Sequence, residues 1–169
     1  MRRGSHILTT LALVLVACAG DSVGPDAGSD PTGGSGGAPP GSSDPQVTSF
    51  SQMMNAHRES VGCGTLTWHD GTGEVAQAHS EDMLQRDFFS HTNPDGDDPF
   101  DRLDNAGVTW IGGASENIAL TPGGAESALD LWLNSSGHRA NIENCAYSHH
   151  GVGLDGGYWT HVFITNPAP

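Results

Sequence analysis

Three side chains in this sequence, His91, Glu116 and His138, have types and surroundings suited to chemistry. None falls on an apolar stripe. His91 follows the end of a helical pattern, Glu116 begins an extended piece, and His138 opens a helix. Two imidazoles and a carboxylate brought together can bind a borderline metal such as zinc and leave positions open for water. Free of metal, the same trio can form a hydrogen-bonded acid–base cluster with shifted pKa values. It can equally be a buried polar network that ties loops to a sheet, each member satisfying another. The residues alone leave all three readings open.

The cysteines carry a second kind of chemistry. Cys63 and Cys145 form an isolated pair, and in an exported chain such a pair is most simply a disulfide. Closing a loop of about 80 residues would stabilise the fold by on the order of 4 kcal/mol in the chain-entropy account. The competing reading is a catalytic thiol with a histidine partner. Other signals are weaker. Asp95-Gly-Asp-Asp-Pro-Phe-Asp101 is acidic, but it lacks the glycine and terminal glutamate of a calcium-binding loop, so it reads as a solvated loop with a helix cap. His149-His150 reads as an exposed pair, with a surface metal site as the alternative, while His57 and His79 read as packed on helix faces.

These groups need elements to position them. Phe50, Met53, Met54 and His57 recur at helical spacing and predict a helix over 47–60. Asp70 or Thr72 can cap a second helix running to about Asp87, with Val75, His79 and Met83 along one face. Asp98-Pro99 pairs a cap with a proline at the first helical position and starts a short third helix to Asn105. A fourth helix is predicted over 125–133, and a fifth over 138–144 behind Ser135 or Ser136. The period then changes. Gly151–Leu154 and Tyr158–Ile164, joined by a turn at Asp155-Gly156, predict a hairpin. Helices first and antiparallel strands last make an α+β fold.

In this order, a series of fragments resembles the CAP superfamily of cysteine-rich secretory, antigen 5 and pathogenesis-related proteins, in its bacterial SCP-domain branch. The fragments are Asn55-Ala-His-Arg58, Leu66-Thr-Trp-His-Asp70, Ala76-Gln-Ala-His-Ser-Glu-Asp-Met83 and Phe89-Ser-His-Thr-Asn-Pro-Asp-Gly96. They continue with Pro99-Phe-Asp-Arg102, Gly113-Ala-Ser-Glu-Asn-Ile-Ala119, Trp132-Leu-Asn-Ser-Ser-Gly-His-Arg-Ala-Asn-Ile142, Gly151-Val-Gly153 and Tyr158-Trp-Thr-His-Val-Phe163. The resemblance spans about residues 48–165 and implies a three-layer α/β/α sandwich around an antiparallel sheet. It also implies that His91, Glu116 and His138 line a central cavity, with His138 inside the bacterial Ser-x-Gly-His-Arg signature. Two departures stand out. The second cavity histidine of the animal and plant members aligns with Tyr158, and their second cavity glutamate falls near Ser135. His161 occupies a position usually held by glutamine. Tyr158 and His161 therefore join the candidate site, while the four-residue tetrad of those members is absent.

The chain has 169 residues and a net charge of −14, and its six cations are all arginine. Clustered cations are what phosphate binding needs, so a nucleic-acid partner is excluded. Arg2 and Arg3 precede a short apolar run, Ile7–Val16, too short to span a bilayer and suited to a signal peptide over 1–17. Leu15-Val-Ala-Cys18 resembles the bacterial lipobox, which implies lipidation of Cys18. The alternative is ordinary cleavage after Ala17-Cys-Ala19 and a secreted, soluble product. Residues 18–45 are rich in Gly, Pro, Ser and Asp and read as a flexible linker. Residues 46–169 form the domain, with four arginines against sixteen acids.

Two functions follow as expectations. One is a binding module tethered to the cell envelope or outer membrane of a bacterium through Cys18, holding an envelope ligand that is lipid- or sterol-like or a protein. The other is a zinc-dependent hydrolase or peptidase, with His91 and His138 on the metal and Glu116 as base for bound water. No His-Glu-x-x-His occurs in the chain, and no Gly-x-Ser-x-Gly occurs in the domain over 46–169.

Overall fold

The computed structural model describes residues 42–167. The signal peptide, Cys18 and most of the linker lie outside the described residues. The element order is α1 (Pro45–Ser60), β1 (Thr67–Trp68), α2 (Asp70–Gln85), α3 (Pro99–Asn105), β2 (Ala114–Leu120), α4 (Gly124–Leu133), α5 (Ser136–Ile142), β3 (His149–Asp155) and β4 (Tyr158–Ile164).

Local chemistry accounts for most boundaries. Asp44 caps α1 by accepting from the Gln46 backbone at 2.7 Å, ahead of Pro45 in the first turn. Asp98 and Asp101 form a reciprocal capping box at α3, as the Asp-Pro pair suggested. At α2 the cap is His69, whose Nδ1 accepts from Thr72 N at 3.1 Å, rather than Asp70 or Thr72. Gly156 and Gly157, both at positive φ, make the two-residue turn between β3 and β4, one position later than Asp155-Gly156.

The sheet order is β1-β3-β4-β2. β2, β4 and β3 pair antiparallel, and the two-residue β1 joins β3 in parallel, which makes a mixed sheet of the expected antiparallel one. Alternation along β4 divides the core. Trp159 and Phe163 pack with Phe50, Met54 and Trp132 of α1 and α4. Val162 and Ile164 pack with Val75 and Ala76 of α2 and Leu103 of α3. The result is a three-layer α/β/α sandwich within an α+β fold.

α2 lies unusually close to β3. A β-carbon on Gly151 would strike the backbone of Thr72 and Gly73, and one on Gly153 the backbone of Ala76 and Gln77. On the far edge, the Trp132 indole donates to Ile118 O at 3.0 Å and ties α4 to β2. Cys63 and Cys145 form the expected disulfide, joining the loop after α1 to the loop after α5 across 82 residues. Beside it the buried Arg58 guanidinium donates to the carbonyls of Gly64, Ile142, Asn144 and Tyr147, so the same two loops are stitched twice.

Candidate functional site

β2 is the edge strand that organises the site, because Glu116 and Asn117 alternate to opposite faces of the sheet. Glu116 turns toward α2 and α3. His91 Nδ1 donates to its Oε1 at 2.8 Å, and Arg102 Nη2 from α3 donates to its Oε2 at 2.7 Å. The Glu116 side chain is 1 % exposed, that of Arg102 10 % and that of His91 48 %. A buried carboxylate is thus held between one buried cation and one half-exposed imidazole. Charge-assisted bonds of this kind are short and directional, which fixes the His91 ring and its tautomer.

The backbone at His91 is held from two sides. Arg102 Nη1 donates to His91 O at 2.8 Å and to Asp97 O at 3.0 Å. The buried His79 on α2 donates from Nε2 to Ser90 O at 3.0 Å. Burial pushes the His79 pKa down, opposed by the nearby Glu116 carboxylate, so this imidazole works as a neutral donor.

Asn117 turns the other way. Its Nδ2 donates to His138 O at 3.0 Å and its Oδ1 accepts from Asn141 at 2.8 Å, which docks α5 against β2. His138 is thereby set close enough to His91 for their charges to oppose each other. Burial first, and then His91, lower its pKa and favour the neutral ring.

The structure therefore brings His91, Glu116 and His138 to one edge of the sheet, and separates them from the other two candidates. Tyr158 pairs with Leu120, four residues along from the Glu116–Val162 pair, about 13 Å away at the rise of a strand. Its ring stands 6.4 Å from that of Phe89. His161 lies on the opposite face from Glu116, fully buried among Phe50, Trp132 and Phe163. His150 belongs there too. It is buried, not exposed beside His149, and its Nδ1 meets His161 Nε2 at 3.1 Å.

A zinc ion does not fit this arrangement. Both oxygens of Glu116 are engaged, one by a guanidinium that would sit beside any cation drawn to the carboxylate. Among the described residues, no three His, Cys, Asp or Glu side chains group so as to hold one ion. The acidic loop is also accounted for: Asp98 and Asp101 cap α3, and Asp95 pairs with Arg86 at 2.7 Å. A groove of about 390 Å³ between α2 and α3 touches the site through Arg102, and a larger one of about 570 Å³ runs past Trp68, Glu74 and Leu154. Neither is lined by His91, Glu116 or His138.

Sequence reasoning missed Arg102, Asn117 and His79 as the positioning groups. A signal was present for the first, since a domain with only four arginines places one in the last turn of the helix that precedes β2.

Comparison with known proteins matches residues 51–163 to the cysteine-rich secretory protein family, CAP. Over 122 residues the chain is 40 % identical to the uncharacterized membrane protein YlbC of Bacillus subtilis (strain 168), covering 70 % of this chain and 35 % of YlbC. Over 115 residues it is 36 % identical to the uncharacterized protein YkwD of the same organism, covering 67 % of this chain and 44 % of YkwD. The chain thus spans less than half the length of either relative. Among solved structures it is similar to an extracellular SCP-domain protein of Bacillus anthracis str. Ames, with 34 % identity, a TM-score of 0.69 and coverage of 72 % of this chain and 40 % of that one. An outer surface protein of Borrelia burgdorferi shares the fold at 16 % identity, with a TM-score of 0.63 and coverage of 72 % and 92 %.

Proposed function

Because this chain belongs to the cysteine-rich secretory protein family, CAP, we propose that it is an exported binding module of a bacterial cell envelope, recognising its ligand at the His91–Glu116–His138 edge. The observation that carries this reading is the state of Glu116. Its carboxylate is spent on holding Arg102 and His91, so it is a positioning group and not a free base. What the edge offers to solvent is the far side of the His91 ring and the His138 imidazole. Phe89, 51 % exposed, lies two residues from His91 and adds apolar surface. A ligand presenting hydroxyl or carbonyl oxygens together with an apolar face would match these groups, as envelope lipids and their glycoconjugates do.

Export is supported by the Arg2-Arg3 start and short apolar run, and by relatives named as a membrane protein and as an extracellular protein. Among the described residues no helix is long and apolar enough to cross a membrane. Attachment in this reading is through a lipidated Cys18, supported by the lipobox-like Leu15-Val-Ala-Cys18. Mass spectrometry of the mature N-terminus tests the anchor: a diacylglyceryl-modified Cys18 is expected, and an unmodified residue beyond it overturns the tether. For the ligand, the full chain and a His91→Ala, His138→Ala variant are incubated with detergent-solubilised envelope lipid and washed. Native mass spectrometry should find lipid retained by the wild type alone. Equal retention by both proteins overturns the assignment of the edge.

A further inference from the structure

Among the described residues, His150 and His161 are the one pair of histidines hydrogen-bonded to each other. Both rings are buried, bonded only to each other at 3.1 Å, and His161 Nδ1 has no partner. Aromatic rings surround them: Phe163 at 3.8 Å, Phe50 at 5.1 Å and Trp132 at 5.7 Å from His161, and Trp68 at 5.6 Å from His150. Buried histidines ordinarily have a carboxylate or a carbonyl to receive the ring N–H; this pair sits where α1 meets the sheet without either.

We propose that the His150–His161 pair is an acid-sensitive lock on the packing of α1 against the sheet. The groups facing it from each neighbouring element favour release on protonation. From α1 comes the buried Arg58 guanidinium, a cation already committed to four carbonyls. His57 on the same helix is bound to Glu143, and Glu59 is exposed. α4 presents Trp132, while its acids Glu126 and Asp130 are exposed. The loop before β3 presents Tyr147, stacked on Phe163. β1 offers Trp68, and the neighbouring His149 alternates to the other face. β2 places Asn117 opposite His161, while Glu116 faces the other way into its own ion pair. A proton arriving on the pair would meet Arg58 and no carboxylate.

Burial, reinforced by Arg58 and His149, pushes the His150 pKa down to about 3. Burial, His150 and Arg58 push that of His161 well below its ordinary value. The neutral state of both rings is therefore part of the closed structure. The sign follows directly. The open state takes up protons from about pH 6.5 downward and the closed state does not, so stability is present above that range and lost below it. Each pH unit below about 6 should favour opening about tenfold per imidazole, or about 100-fold for the pair.

The test uses the full chain and His161→Gln, which retains an amide able to donate to His150 Nδ1 while removing one titrating ring. Hydrogen exchange of the α1 amides is measured at matched pH from 7 to 5. The expected result is that the opening equilibrium of the wild type rises about tenfold more per pH unit than that of His161→Gln. The same pH dependence in both proteins overturns the lock. Should the variant not fold, ring nitrogen NMR on the wild type decides. Both rings neutral at pH 5 in the closed protein supports the proposal, and either ring charged there without opening overturns it.

Discussion

On the α2 side of the sheet His91 is bonded to a carboxylate, whereas on the α1 side His161 is bonded to another histidine. The first imidazole is half-exposed and its partner is compensated by Arg102, so the cluster is built from charges that satisfy one another. The second pair is dry, ringed by aromatics, and faces a cation. Identical side chains thus meet opposite conditions on the two faces of one sheet. At the edge, charge positions a ring for solvent; in the core, the absence of charge is the condition for packing. Electrostatic partners, more than residue type, decide what a histidine does here.

The strongest way to break this contrast is to remove the carboxylate. Glu116→Ala leaves the nine-tenths-buried Arg102 without its counter-ion, and loss of one partner of a buried pair costs about 3–5 kcal/mol. Urea unfolding at pH 7.5 should show that loss. A change below about 1 kcal/mol would mean that Arg102 finds water in place of Glu116, and that the edge is no more charge-built than an ordinary surface.

Acid should then act on the other face. With two buried imidazoles that stay neutral when folded, stability is complete above about pH 6.5 and falls as the pH drops. A loss of about 4 kcal/mol between pH 7 and pH 5 is expected from the pair. The same unfolding measurement repeated along the pH series checks it. A flat profile would place protons on the pair in the folded state and erase the difference between the two clusters.

How far this division was legible in the sequence depends on the range of the interaction. The α3 cap, the β3–β4 hairpin and the Cys63–Cys145 bond rest on local patterns or on a forced pairing, and each could be read. The meeting of His91, Glu116 and His138 came from resemblance to a family and not from spacing. Arg102 escaped because its bond to Glu116 depends on how α3 lies against β2. His150 was misread as exposed because two adjacent histidines suggest a wet surface. The missed signal was Gly151 and Gly153. Glycines two apart in a strand mark the face approached closely by backbone, so 150, 152 and 154 must point into the other layer.

A smaller effect sharpens the comparison. The double substitution His150→Leu, His161→Phe replaces both partners of a dry hydrogen bond with apolar groups of similar size. It should alter stability at pH 7.5 by less than about 1.5 kcal/mol, since removing both ends leaves no orphaned group. The pH profile should flatten at the same time, because the titrating rings are gone. A large loss at pH 7.5 would show that the imidazole pair itself, and not its neutrality, holds the two layers together.

The smallest stability effect belongs to His91. Its ring is 48 % exposed and donates one bond to a carboxylate that Arg102 continues to hold, so His91→Ala should cost less than about 1 kcal/mol in urea unfolding. The backbone there is still fixed by Arg102 and His79, and the loop should keep its place. Loss of envelope-lipid retention together with near-native stability would separate recognition from folding at this edge. If His91→Ala instead destabilises the domain as much as Glu116→Ala does, the imidazole is one more strut of the ion-pair network. The two faces would then differ only in how they satisfy their buried groups, and the exposed ring would carry no recognition of its own.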